Sequence, residues 1–99
     1  MQYQLRTYTM KPGLMDEFIE NWRRYFVPTR EAHGFTIVGS WINHEAYEFI
    51  WLVSYAGPEG YTAAEDVYLA SAERAAIPWD PKPYIEKMEL RILDPVKSH

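Results

Sequence analysis

Three histidines are the side chains of this cysteine-free chain that titrate near neutral pH without help, so acid–base chemistry is sought there first. His44 stands in the polar connection Asn43-His44-Glu45, and loops at the end of a sheet often carry function. His33, beside Gly34, is read as an imidazole at a helix end, where the dipole favours a cation. His99 is read as part of a terminal tail, Val96 to His99. Arg6 and Tyr8 share one side of an N-terminal strand by the two-residue period. An arginine in that position must pair with a carboxylate, stack on a ring or meet a ligand anion. Glu48, Glu89 or a carboxylate of a second chain would satisfy it structurally.

Other chemistries find no support. There is no His-Glu-x-x-His helix, no His-x-His pair and no carboxylate cluster at ligand spacing, so neither a metal nor another cofactor is expected. Gly57-Pro58-Glu59-Gly60 lacks the lysine and glycine spacing of a phosphate-binding loop, and no G-x-S-x-G elbow exists. A net charge of −4 and a pI near 5.3 argue against nucleic acid as the main partner. No apolar run approaches the ~20 residues of a membrane span. The start Met-Gln-Tyr-Gln-Leu-Arg lacks a basic segment followed by an apolar one, and a cytoplasmic location is the default.

Aromatic residues form 16% of the 99 residues, a heavy load for one small domain. Tyr8, Trp22, Tyr25, Trp41, Trp51, Tyr55, Tyr68 and Trp79 face a later segment rich in alanine: Ala63, Ala64, Ala70, Ser71, Ala72, Ala75 and Ala76. Such a pairing gives either a filled aromatic core or a concave, mostly apolar space with a few hydroxyl and indole donors.

The elements that must position these groups follow from periodicity. Tyr3 to Thr9 reads as a strand, stopped by Lys11-Pro12-Gly13. From Pro12 to about Ala32 the apolar residues Leu14, Met15, Phe18, Ile19, Trp22, Tyr25 and Phe26 make one helical stripe. Pro28 is expected to kink or end this helix near Phe26 or Val27, with Gly34 as its stop. Phe35 to Trp41 and Phe49 to Tyr55 read as strands apolar on both faces, so both faces need cover. A second helix is expected from about Tyr61 to Ala76, with Thr62 and Glu65 spaced as a capping box. Ile77 to Pro83 is an irregular crossing, and Tyr84 to Leu93 a last strand.

This order, strand-helix-strand-strand-helix-strand, is the ferredoxin-like βαββαβ arrangement of the α+β class, one domain over residues 1–99. Two helices cover one face of its four-stranded antiparallel sheet. The other face is apolar, and a second copy is its simplest cover, which predicts a homodimer.

Leu5-Arg6-Thr7-Tyr8-Thr9-Met10-Lys11-Pro12-Gly13 resembles the L-R-T-Y-x-L-x-P-G opening of the NIPSNAP family, within the dimeric α+β barrel superfamily. Phe49-Ile50-Trp51-Leu52-Val53-Ser54-Tyr55 resembles the F-V-W-L-R-x-F/Y strand of a bacterial subgroup. Val67-Tyr68-Leu69-Ala70-Ser71 with the later Trp79 resembles its following helix, and Gly39-Ser40-Trp41 its G-x-W step. The chain departs from that subgroup in having no arginine at Leu52 or Val53. The resemblance implies a small apolar or aromatic ligand held between sheet and helices. One implied activity is a cofactor-independent oxygenase acting on an aromatic or polyketide-like substrate. His44 would then be the base, and Tyr8, Tyr55 and Arg6 the orienting or anion-stabilising groups. Trp41, Trp51, Tyr68 and Trp79 would form walls. A non-catalytic dimerisation or ligand-carrying module is the alternative, in keeping with the vesicle, mitochondrial and signalling roles of better-known relatives. Heme handling is a weaker third, because the second helix lacks a histidine.

Overall fold

Side-chain alternation in the first strand decides how the sheet is dressed. In the computed structural model, which describes residues 1–97, β1 (Gln2–Met10) buries Gln4, Arg6, Tyr8 and Met10 on one face. It pairs antiparallel with β3 (Glu48–Tyr55) and β4 (Ile85–Leu93), while β2 (Phe35–Asn43) pairs with β3, giving the sheet order β2-β3-β1-β4. Register places Tyr8 opposite Phe49, Arg6 opposite Trp51 and Gln4 opposite Val53. These residues form one face, and the helices pack on it. The expected βαββαβ order and antiparallel sheet are present.

The first helix is more continuous than its proline suggests. α1 (Met15–Asn21) passes through a π-helical turn at Trp22–Phe26 into α2 (Val27–Ala32). Pro28 cannot donate a backbone hydrogen bond. The widened turn just before it, where the Val27 N–H reaches back to the Trp22 carbonyl, absorbs the mismatch without ending the helix. Gly34 stops it, with a φ of +87° that its missing Cβ permits. The buried stripe is Met15, Phe18, Trp22, Phe26 and Arg30, so an arginine occupies its last position.

The second helical segment is shorter than expected. α3 (Tyr61–Leu69) ends at Ala70, and Ser71 caps a separate α4 (Ala72–Ala75) by accepting a hydrogen bond from the Arg74 N–H. Thr62 and Glu65 make no capping box; Gly60 precedes α3 with no side-chain cap. The alanine-rich surface does not face the sheet either. Tyr61, Ala64 and Tyr68 do, while Ala63, Ala70, Ala72, Ala75 and Ala76 are exposed.

The core is an aromatic lattice under α1 and the π turn. Phe18 meets Tyr8 and Phe49 edge-on at 5.8 and 5.4 Å, and Trp22 meets Trp51 at 5.4 Å. Edge-to-face pairs add about 0.5–1.5 kcal/mol each beyond area burial. Among the described residues, no element covers the opposite face. Leu5, Leu52 and Gly39 align across it, and Trp41 folds over Gly39 so closely that a Cβ there would lie 2.8 Å from the indole. Trp41 is 52% exposed and Val38, at the bulge of β2, 49%. Among the described residues no helix is long and apolar enough to cross a membrane.

Candidate functional site

Two arginines lie inside this small domain, and each arrives by plain periodicity. Arg6 alternates inward on β1, and Arg30 stands four residues after Phe26 on the buried helical stripe. Glu65 stands one turn after Tyr61 on α3 and reaches both. Its Oε1 lies 3.0 Å from Arg6 Nη1 and 2.8 Å from Arg30 Nη2. The Arg6 Nε donates to the Tyr8 hydroxyl at 2.7 Å, and Arg6 Nη1 also donates to Gln4 Oε1. Gln4 Nε2 in turn donates to Glu65 Oε2 at 3.3 Å, and Arg30 Nη1 to the Tyr61 hydroxyl at 3.2 Å. The carboxylate expected for Arg6 is therefore Glu65. Glu89 instead pairs with Lys87 and Arg91 on the other face, and Glu48 accepts from Asn43.

Trp51 lies against both guanidiniums. The Arg6 and Arg30 Cζ atoms stand 5.2 and 5.4 Å from its ring, and Arg30 stands 4.7 Å from that of Tyr68. A guanidinium on an aromatic face is worth about 0.5–2 kcal/mol, more when desolvated. Burial is the largest influence on Arg6 and works against its charge. Attraction to Tyr8 and Glu65 and the Tyr8 hydrogen bond outweigh it, so its pKa is raised. Burial pushes the Tyr61 phenol up to about 12, against the opposing pull of Arg30. The folded chain thus keeps a proton that the unfolded chain loses near pH 10. Its contribution to stability is full below that pH and falls as pH rises from about 10 toward 12. Denaturant midpoints across this window are expected to decline for the parent, and less steeply for Tyr61→Phe.

Beside the arginines lies a cavity of about 160 Å³ between β1, β4 and the helices. Arg6, Arg30, Tyr8, Trp51 and Tyr68 form its inner wall, and Arg74 and Lys82 also line it. Trp51 and Tyr68 are each 1% exposed, yet among the described residues the Trp51 Nε1 and the Tyr68 hydroxyl have no partner. Buried donors are nearly always satisfied, and two of the four orphans among the described residues, the others being Trp22 Nε1 and Trp79 Nε1, belong to residues that line this cavity. Burial also pushes the Tyr68 pKa up, with Arg30, Arg74 and Arg6 opposing, so its hydroxyl keeps its proton at neutral pH.

Of the sequence-selected residues, Arg6, Tyr8, Trp51 and Tyr68 come together here. His44 does not: it is exposed in the β2–β3 turn and borders a separate surface depression with Trp41 and Arg23. Tyr55 stacks on Phe35 at 5.1 Å, and Trp79 packs against Phe18 and Phe26 at 5.3 and 5.2 Å. Trp79 Nε1 is buried and unpartnered, but the indole stands behind Phe26 rather than in the wall. His33 contacts Glu73 at 2.8 Å, not the cavity, and residues 98–99 of the expected tail lie outside the described residues. Among the described residues, no three His, Asp or Glu side chains group to hold a metal ion. Arg30, Glu65, Gln4, Arg74 and Lys82 are the site residues that sequence reasoning missed. The signal for Arg30 and Glu65 was their place on buried stripes; Gln4 alternates inward with Arg6.

Residues 3–99 match the model of the NIPSNAP family. A NIPSNAP domain protein from Burkholderia xenovorans superposes with a TM-score of 0.82 at 19% identity, covering 100% of this chain and 98% of that one. A NIPSNAP family protein from Agrobacterium tumefaciens gives 0.83 at 17%, covering 100% and 91%. An antibiotic biosynthesis monooxygenase gives 0.69 at 14%, covering 98% and 100%. No curated protein matches. At these identities the solved structures speak to fold alone.

Proposed function

Because the chain belongs to the NIPSNAP family, whose model spans residues 3–99, we propose that it is a small-molecule-binding protein of the dimeric α+β barrel type. It acts in the cytoplasm as a homodimer, each copy holding a ligand between its sheet and helices. One observation carries this reading: the orphaned Trp51 and Tyr68 donors beside an aromatic-walled cavity. An oxygen atom of a bound molecule would accept from both.

A second reading, an oxygenase without a cofactor, draws on the two guanidiniums. They would favour the anionic form of a phenol or enol, the electron-rich species that reacts with oxygen directly. That reading assigns Arg6, Tyr8 and Tyr68 to orientation and charge stabilisation. No histidine or carboxylate is among the cavity-lining residues, so an acidic substrate that arrives already ionised suits it best.

Tryptophan emission tests the binding reading. A single-ring phenol is expected to quench it saturably, because Trp51 forms a wall. Tyr68→Phe is expected to weaken binding by roughly tenfold, the loss of one buried hydrogen bond of about 1–1.5 kcal/mol. His44→Ala should change neither. Quenching that stays linear across a panel of phenols would overturn the reading.

A further inference from the structure

The charge around the cavity is lopsided. Four of its twelve lining residues are cationic, namely Arg6, Arg30, Arg74 and Lys82, and none is acidic. Glu65 reaches the inner pair from behind, and its single charge is shared between two guanidiniums. Arg6 and Arg30 are 8% and 3% exposed, so water does little to neutralise the remaining positive charge. The bonds described above engage Arg6 through Nε and Nη1, which leaves its Nη2 donors over. Each guanidinium carries five N–H donors, and a planar carboxylate matches that fork. The Trp51 indole and the Tyr68 hydroxyl add two further donors that have no partner among the described residues.

Size and wall chemistry narrow the occupant. The volume, about 160 Å³, is close to the roughly 150 Å³ of a cavity that admits benzene. The remaining walls are apolar: Phe26, Leu69, Pro81, Ile85 and Met88. One ring therefore fits and a fused polycycle does not, unless it projects past Lys82.

Resting on the reading that this cavity is a ligand site, we infer that its ligand is a single-ring aromatic carboxylate. Arg6 and Arg30 take the carboxylate, Trp51 and Tyr68 donate to it or to a ring substituent, and Met88 and Leu69 flank the ring. Arg74 and Lys82 draw the anion in from solvent.

Calorimetric titration of the whole protein with benzoate and with its neutral isostere benzamide separates charge from shape. Benzoate is expected to bind at least about tenfold more tightly, because its bonds to guanidinium are charge-assisted. Arg74→Gln and Lys82→Gln lie away from the buried network. Each is expected to weaken benzoate severalfold more than benzamide, and added salt should act in the same sense. Arg30→Lys keeps the charge but loses the fork, and should erode the preference for benzoate. Equal affinity for the two compounds would overturn the inference while leaving a ligand site of neutral specificity. Failure of both compounds, together with linear quenching by phenols, would remove the ligand site as well.

Discussion

Glu65→Leu is expected to cost about 3–5 kcal/mol of folding free energy, the usual loss when one partner of a buried ionic network is removed. Among the described residues its carboxylate is the one acid on both Arg6 and Arg30, and its side chain is only 12% exposed. Small domains hold about 5–15 kcal/mol in total, so this single change should consume a large share. Urea midpoints of the parent and variant measure it. Replacing Arg6, Arg30 and Glu65 together by apolar residues of similar volume should recover most of the loss, since the desolvation cost then vanishes with the charges. A loss under ~1 kcal/mol for Glu65→Leu would mean that the arginines are solvated, and the electrostatic account of the site would fall.

Leu52→Asp should halve the mass of the particle in solution. Leu52 sits opposite Leu5 and Gly39 at the centre of the uncovered face, with Ile50 and Trp41 alongside. Contiguous apolar surface of this kind marks an interaction site, and a second copy of the same face is self-complementary. Sedimentation of the parent at micromolar concentration is expected to give about twice the 11.7 kDa chain mass. A buried, unpaired carboxylate at the centre of the interface should leave a monomer. A parent that sediments as a monomer would remove the homodimer from the proposal.

How far the sequence speaks depends on which rule governs each residue. The strands were legible because period-two alternation and the Lys11-Pro12-Gly13 turn agree. Gly34 was legible as a helix stop because its backbone conformation demands glycine. Pro28 misled, since a π turn at Trp22–Phe26 absorbs it, and that remedy leaves no mark in composition. Glu65 misled for a different reason. Its spacing from Thr62 fits a capping box, but two buried guanidiniums attract the carboxylate more strongly than a solvated helix end does. Arg6 and Tyr8 were legible as a pair from β1 alone. Arg30 went unread as a site residue, although its i+4 relation to Phe26 put it on the buried stripe. His44 drew attention by residue type, yet the turn that carries it lies at the edge of the molecule, away from the cavity.

The most direct test of the ligand site is crystallographic. Crystals grown with 4-iodobenzoate carry a heavy atom that marks the ring by its anomalous signal. The account predicts one iodine peak per chain inside the cavity near Leu69 and Met88, with carboxylate density against Arg6 and Arg30. A well-diffracting crystal with iodine only on the surface, and the Trp51 and Tyr68 donors still unpaired, would contradict it.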